Sequence, residues 1–138
     1  MNEIEIKVRV IISDFLCDPE KITQIIEINS DKIWRKGECV HSKAKNIHKQ
    51  NGWMIMSACD YKNTSVDEQV GCLLHMLAPH MPNFKNLPSN SKIEQSCIVY
   101  THGERPVLNF SSAHVKTLGE IGASIDIDLY DLGESNLA

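Results

Sequence analysis

The segment from Gly122 to Leu132, GASIDIDLYDL, alternates apolar and polar side chains with a period of two. That period suits a strand and not a helix. Ile125, Ile127 and Leu129 project to one side, and Asp126, Asp128 and Tyr130 to the other. The segment therefore predicts a strand with one face in a core and one face in water. The opposite end of the chain, EIEIKVRVIIS, repeats the pattern, with Ile4, Ile6, Val8 and Val10 alternating with Glu3, Glu5, Lys7 and Arg9. Two such strands predict a sheet that is apolar on one side only, and helices must cover that side.

Helix signals lie between them. Asp18-Pro19-Glu20 supplies a capping carboxylate and a proline with preset φ. Ile22, Ile25 and Ile26 then form one buried stripe, and Asn29-Ser30-Asp31 ends the pattern. Ser65-Val66-Asp67-Glu68 is a capping box. It opens a face of Val66, Val70, Leu73, Leu74 and Leu77, which Pro79 and Pro82 are expected to stop. A third helix is capped by Ser111 or Ser112, buries Val115, Leu118 and Ile121, and ends at Gly122.

Strand composition returns at Gly52 to Cys59, apolar on both sides and so placed near the sheet's centre, and at Ile93 to Thr101. The latter is expected to form a hairpin with a short strand at Val107 and Leu108 through the turn His102 to Arg105. The stretch from Lys32 to Lys49 reads as a loop or irregular hairpin arm around Trp34 and Gly37, and Asn83 to Ser91 as a mobile connection. The tail from Gly133 to Ala138 is expected to fray. The order of elements predicts an α+β fold, a two-layer sandwich with about three helices on one face of a mixed sheet, ferredoxin-like or an elaboration of it.

A chain of 138 residues is the size of one domain. With 42% hydrophobic and 23% charged residues it cannot be a disordered polymer. The net charge of −4 argues against a general affinity for nucleic acid. The charges at Glu3, Glu5, Lys7 and Arg9 interrupt any apolar leader or membrane span, so a cytoplasmic protein is expected. Cys17, Cys39, Cys59, Cys72 and Cys97 are odd in number and contain no C-x-x-C pair, which is not a disulfide framework. Cys59, Cys72 and Cys97 sit in apolar patterns and read as small buried hydrophobes.

Several segments resemble a bacterial family known as domain of unknown function 4279: Ile12-Ser13 with Asp18-Pro19-Glu20, Trp34-Arg35-Lys36-Gly37, Gly52-Trp53, and Gly122 through Tyr130. The resemblance spans nearly the whole chain, apart from the basic stretch between Gly37 and Gly52. It implies one α+β domain and brings no catalytic residues with it. It also implies a role seen in small bacterial proteins of this kind, that of immunity partner to a polymorphic toxin.

The sharpest polar surface is Asp126 and Asp128 with Tyr130 and Asp131. Carboxylates two apart on a strand share a face, where they could bind a metal or serve as acid and base. If the first and last strands are neighbours, Lys7 and Arg9 lie across from them as ordinary charge pairs. A partner-binding surface is the third reading. Cys39, His41 and His48 lack a fourth ligand at a zinc spacing, and His75 and His80 do not form a helical i, i+4 pair. There is neither a phosphate loop nor a nucleophile motif. The segment 32–49, with Arg35, Lys36, Lys43 and Lys45 between Trp34 and Trp53, is an alternative surface for a small ligand or nucleic acid. After Lys116 no Lys or Arg follows, whereas Glu120, Asp126, Asp128, Asp131 and Glu134 do. An acidic end of this kind steers a basic partner. The expectation is a non-enzymatic protein-binding module without a cofactor or metal. It would be an immunity protein that occludes a cognate, basic toxin through Asp126, Asp128, Tyr130 and Asp131.

Overall fold

The structure is a computed structural model that describes residues 4–41 and 45–133. Expectations placed on Glu3, Lys43, Glu134 and the tail 134–138 lie outside the described residues. Five strands form one sheet: β1 (Glu5–Ser13), β2 (Lys32–Trp34), β3 (Gly52–Met56), β4 (Lys92–Thr101) and β5 (Ala123–Asp131). Their spatial order is β2-β3-β1-β4-β5. β1 runs antiparallel to β3 and β4, β2 antiparallel to β3, and β5 parallel to β4. With α1 (Pro19–Ile26) after β1 and α2 (Val66–Leu77) after β3, β1 to β4 reproduce the split βαβ pattern of ferredoxin-like folds. α3 (Ser112–Glu120) and β5 extend it by one parallel strand.

Register fixes which side of the sheet is dry. Ile6, Val8, Val10 and Ile12 of β1 oppose Val99, Cys97, Gln95 and Ile93 of β4. All of these are buried, in a core with Ile22 and Ile26 of α1, Val66, Val70, Leu73 and Leu77 of α2, and Leu118 of α3. The alternation of β1 thus places one face under the helices and leaves Lys7 and Arg9 on the open side.

The helix boundaries follow their caps. The Glu20 amide donates to Asp18 Oδ1 at 3.0 Å, and α1 ends two residues earlier than the Asn29 signal, at Glu27 in the left-handed region (φ 66°). Ser65 and Glu68 form both bonds of the capping box. α2 ends at Leu77, ahead of the prolines as expected, and the chain continues as a 3₁₀ helix, Ala78–Asn86. That helix replaces the first four residues of the expected mobile connection, 83–86, because Phe84 is buried and the Asn83 side-chain amide donates to the Ile26 carbonyl at 3.0 Å. The expected hairpin after β4 does not form. Residues 105–110 carry no strand, and β5 takes the place beside β4. Pro106 has no amide hydrogen to donate to a ladder there. Ser111 is the cap of α3, and Val115, expected in the core, is exposed.

Candidate functional site

β5 lies at the edge of the sheet, and this position governs its chemistry. Its register with β4 puts Ile125, Ile127 and Leu129 on the helix side and Asp126, Asp128 and Tyr130 on the open side. The direction matches the alternation in the sequence, but the burial does not. Ile125 and Ile127 remain 39% exposed and Leu129 54% exposed. Periodicity specifies which way a side chain points. It does not specify whether a neighbouring strand and helix close over it, and among the described residues there is no further strand beyond β5.

The backbone of β5 is equally one-sided. The Leu132 amide donates to the Thr101 carbonyl at 2.8 Å. Because successive backbone groups of a strand point in opposite directions, the even-numbered residues of β5 bond to β4. The amides and carbonyls of Ile125, Ile127 and Leu129 point outward. This is a nine-residue edge with neither a proline nor a lysine on it, and among the described residues the feature that protects it is its acids.

On the open face, β1 and β5 are not neighbours, since β4 separates them. The expected pairing of Lys7 and Arg9 with Asp128 and Asp126 is therefore absent. Lys7 Nζ lies over the rings of Tyr61 and Tyr100, at 5.5 and 5.7 Å from their centroids. Arg9 donates to Ser96 Oγ at 2.9 Å and to Met54 Sδ at 3.6 Å. Among the described residues the one Lys or Arg paired with an acid is Arg35, with Asp18, and His114 contacts Asp67. Asp126 and Asp128 take part in neither. Tyr130 stacks on Tyr100, centroids 5.5 Å apart and planes at 22°.

Asp131 does not join this group. It falls on the opposite face by parity, and its Oδ1 accepts from the amides of Gly103 and Gly133, each at 2.9 Å. Those bonds, Gly133 first, hold its carboxyl below the usual carboxylate range. It braces the corner after β4 against the end of β5. Cys97, beside Ile127 in the register, is a buried hydrophobe as expected, and burial together with Asp126 pushes its thiol up to about 11.

The basic arm is assembled differently from a footprint. Arg35 donates to both oxygens of Asp18, at 2.8 and 3.2 Å, so its charge is spent on the N-cap of α1. Its guanidinium in turn lowers the Asp18 carboxyl. The Lys36 amide donates to Asn51 Oδ1 at 2.8 Å. Trp34 stacks on His48 at 5.6 Å, beside Lys45 and Lys49, and its indole occupies the space a side chain at Gly52 would need. Trp53 is no partner to it: fully buried, it donates Nε1 to Thr23 Oγ1 at 3.0 Å. Cys39 is exposed, and its backbone bridges Ile47.

Two arrangements leave no signal in the sequence. Cys59 and Cys72 are joined in a disulfide, with Cα atoms 6.5 Å apart, which corrects their reading as small apolar residues. The loop after β3 turns back onto α2, and that tertiary approach leaves no motif in the spacing. His114 Nδ1 and Asp67 Oδ1 are 2.7 Å apart, and the same oxygen accepts from the Ser111 amide at 2.9 Å, tying the start of α3 to the first turn of α2. Gly71 makes room for the imidazole, since a Cβ there would meet its ring. Burial alone would raise the Asp67 carboxyl, but the Ser111 amide and His114 outweigh it and the net shift is downward.

No helix is long and apolar enough to cross a membrane among the described residues. No curated protein and no solved structure matches this chain. The model of the family described as Domain of unknown function (DUF4279) matches residues 4–132, the span that holds every strand and helix described above, and the chain belongs to that family.

Proposed function

We propose that the protein is a non-enzymatic protein-binding module, an immunity protein that neutralises a cognate bacterial toxin by occluding its active site or substrate groove. The observation that carries this reading is β5: an edge strand with half-exposed Ile125, Ile127 and Leu129 on one side and, on the other, Asp126 and Asp128, which pair with no cation among the described residues. Apolar area flanked by uncompensated charge of one sign favours a basic protein partner, which the charge steers and the apolar area retains. Tyr130 adds an amphipathic contact on the same face as the acids. Asp131 acts indirectly, by holding the end of the strand. The reading places the chain in the cytoplasm, where thiols are kept reduced, and it expects Cys59 and Cys72 as thiols there.

The test is co-expression with the toxin domain encoded by a neighbouring gene. The chain should restore growth and co-purify with the toxin one to one. The double reversal Asp126→Lys/Asp128→Lys should slow association and make it less dependent on salt. Failure to restore growth or to bind refutes the immunity role, and unchanged association kinetics remove this surface from it.

A second reading, binding of a small ligand or nucleic acid by the arm, is favoured by Trp34 stacked on His48 beside Lys45 and Lys49. A gel shift lost on substituting Lys43 and Lys45 would support it. The leading reading expects no shift at all.

A further inference from the structure

We propose that the partner joins β5 as a sixth strand, through an extended segment in which basic and apolar residues alternate. This deepens the reading above and rests on it. The outward amides and carbonyls of Ile125, Ile127 and Leu129 offer the hydrogen-bonding row of a strand-addition site. The two faces of β5 then dictate the side chains of the incoming strand. Residues on the helix side must be apolar, to cover Ile125, Ile127 and Leu129, which the protein itself leaves partly in water. Those on the open side fall opposite Asp126 and Asp128, which have no cationic partner among the described residues, so Lys or Arg at every second position completes them.

The same acids argue against a second copy of this chain as the occupant. An antiparallel pairing of β5 with itself, helices on the same side, places acid against acid in each register that overlays the strand centres: Asp126 on Asp126, Asp128 on Asp128, or Asp126 on Asp128. Like charges directly opposite oppose pairing. They serve here as protection against self-association and as selection for the opposite sign.

The probe is a capped seven-residue peptide in which lysine alternates with valine. It is compared with a peptide of the same composition in shuffled order and with a glutamate–valine analogue. At low salt the alternating basic peptide should bind at least tenfold more tightly than the shuffled one, and the acidic analogue should not bind. Ile127→Pro removes an outward amide that β4 does not use, a position at which an edge strand tolerates proline. It should weaken binding at least tenfold while the circular dichroism spectrum is unchanged. N-methylation of alternate amides in the peptide makes the same cut on the ligand side, with the protein intact, and should have the same effect. Equal affinity for ordered and shuffled peptides, binding indifferent to both Ile127→Pro and N-methylation, or a wild-type dimer that Ile127→Pro makes monomeric would overturn strand addition. A toxin neutralised normally by Ile127→Pro but not by Asp126→Lys/Asp128→Lys would also overturn it, while leaving the protein-binding reading in place.

Discussion

Truncating Ile127 should cost far less stability than truncating an isoleucine of the central strand. Ile→Ala removes three carbons, worth about 0.8 kcal/mol each when taken fully out of water, or about 2.4 kcal/mol. Ile127 keeps 39% of its surface in solvent, so only about three fifths of that term applies, and water can fill the space left. The expected cost is about 1.5 kcal/mol. Ile12 is fully buried between strands and helices. Ile12→Ala loses the whole transfer term and leaves a closed cavity, for a total of about 4 kcal/mol. Urea unfolding followed by the fluorescence of buried Trp53 measures both, and the two variants should differ by about 2.5 kcal/mol at unchanged m-value. Equal costs would refute the reasoning, because they would mean that β5 is covered as thoroughly as β1.

Asp67→Asn should destabilise the protein by about 1.5–3 kcal/mol, the worth of hydrogen bonds to a charged group, measured by urea unfolding at neutral pH. The folded Asp67 carboxyl lies below its unfolded value, so its contribution is present above the ordinary carboxylate range and is lost as pH falls through the folded pKa. The gap between wild type and Asp67→Asn should therefore close in acid, and a gap independent of pH would contradict the clamp. Gly52→Ala should displace the Trp34 indole, visible as a change in the Trp34–His48 contact by NMR and a lower midpoint of unfolding. An unperturbed Trp34 would show that the close approach is not real. In the oxidised, denatured protein three thiols should react with alkylating reagent, those of Cys17, Cys39 and Cys97. In the native protein Cys97, buried and with its thiol pushed up to about 11, should react last. Rapid native labelling of Cys97 would contradict its burial.

Local signals carried much of this structure. Asp18 with Pro19, the Ser65–Glu68 box and Ser111 are caps whose bonds form within three residues, so the chain states them directly. The alternation in β1 and β5 likewise sets which side chains face the helices. What could not be read were the relations between distant segments. Nothing local tells that β4 separates β1 from β5, and that separation is why Lys7 and Arg9 do not pair with the acids. Nor does a period of two distinguish an edge strand from an inner one, which is why Ile125 and Ile127 are wetter than their pattern implied. Asp131 sits one residue past Tyr130, and that single step turns its side chain to the other face, where it accepts from the amides of Gly103 and Gly133. The Cys59–Cys72 link and the Asp67–His114 clamp depend on the docking of a loop and a helix on α2, which leaves no mark in spacing. Pro79 and Pro82 were stop signals for an α-helix, yet a 3₁₀ helix carried the chain on.

The proposed docking of a strand depends on the outer edge of β5 being open. Amide hydrogen exchange of the free protein, resolved by residue, measures that directly. The amides of Asp126, Asp128 and Tyr130, bonded to β4, should be protected, while those of Ile125, Ile127 and Leu129 should exchange much faster. Equal protection along both sets would mean that the edge is already occupied, and the account of a docking strand would be contradicted.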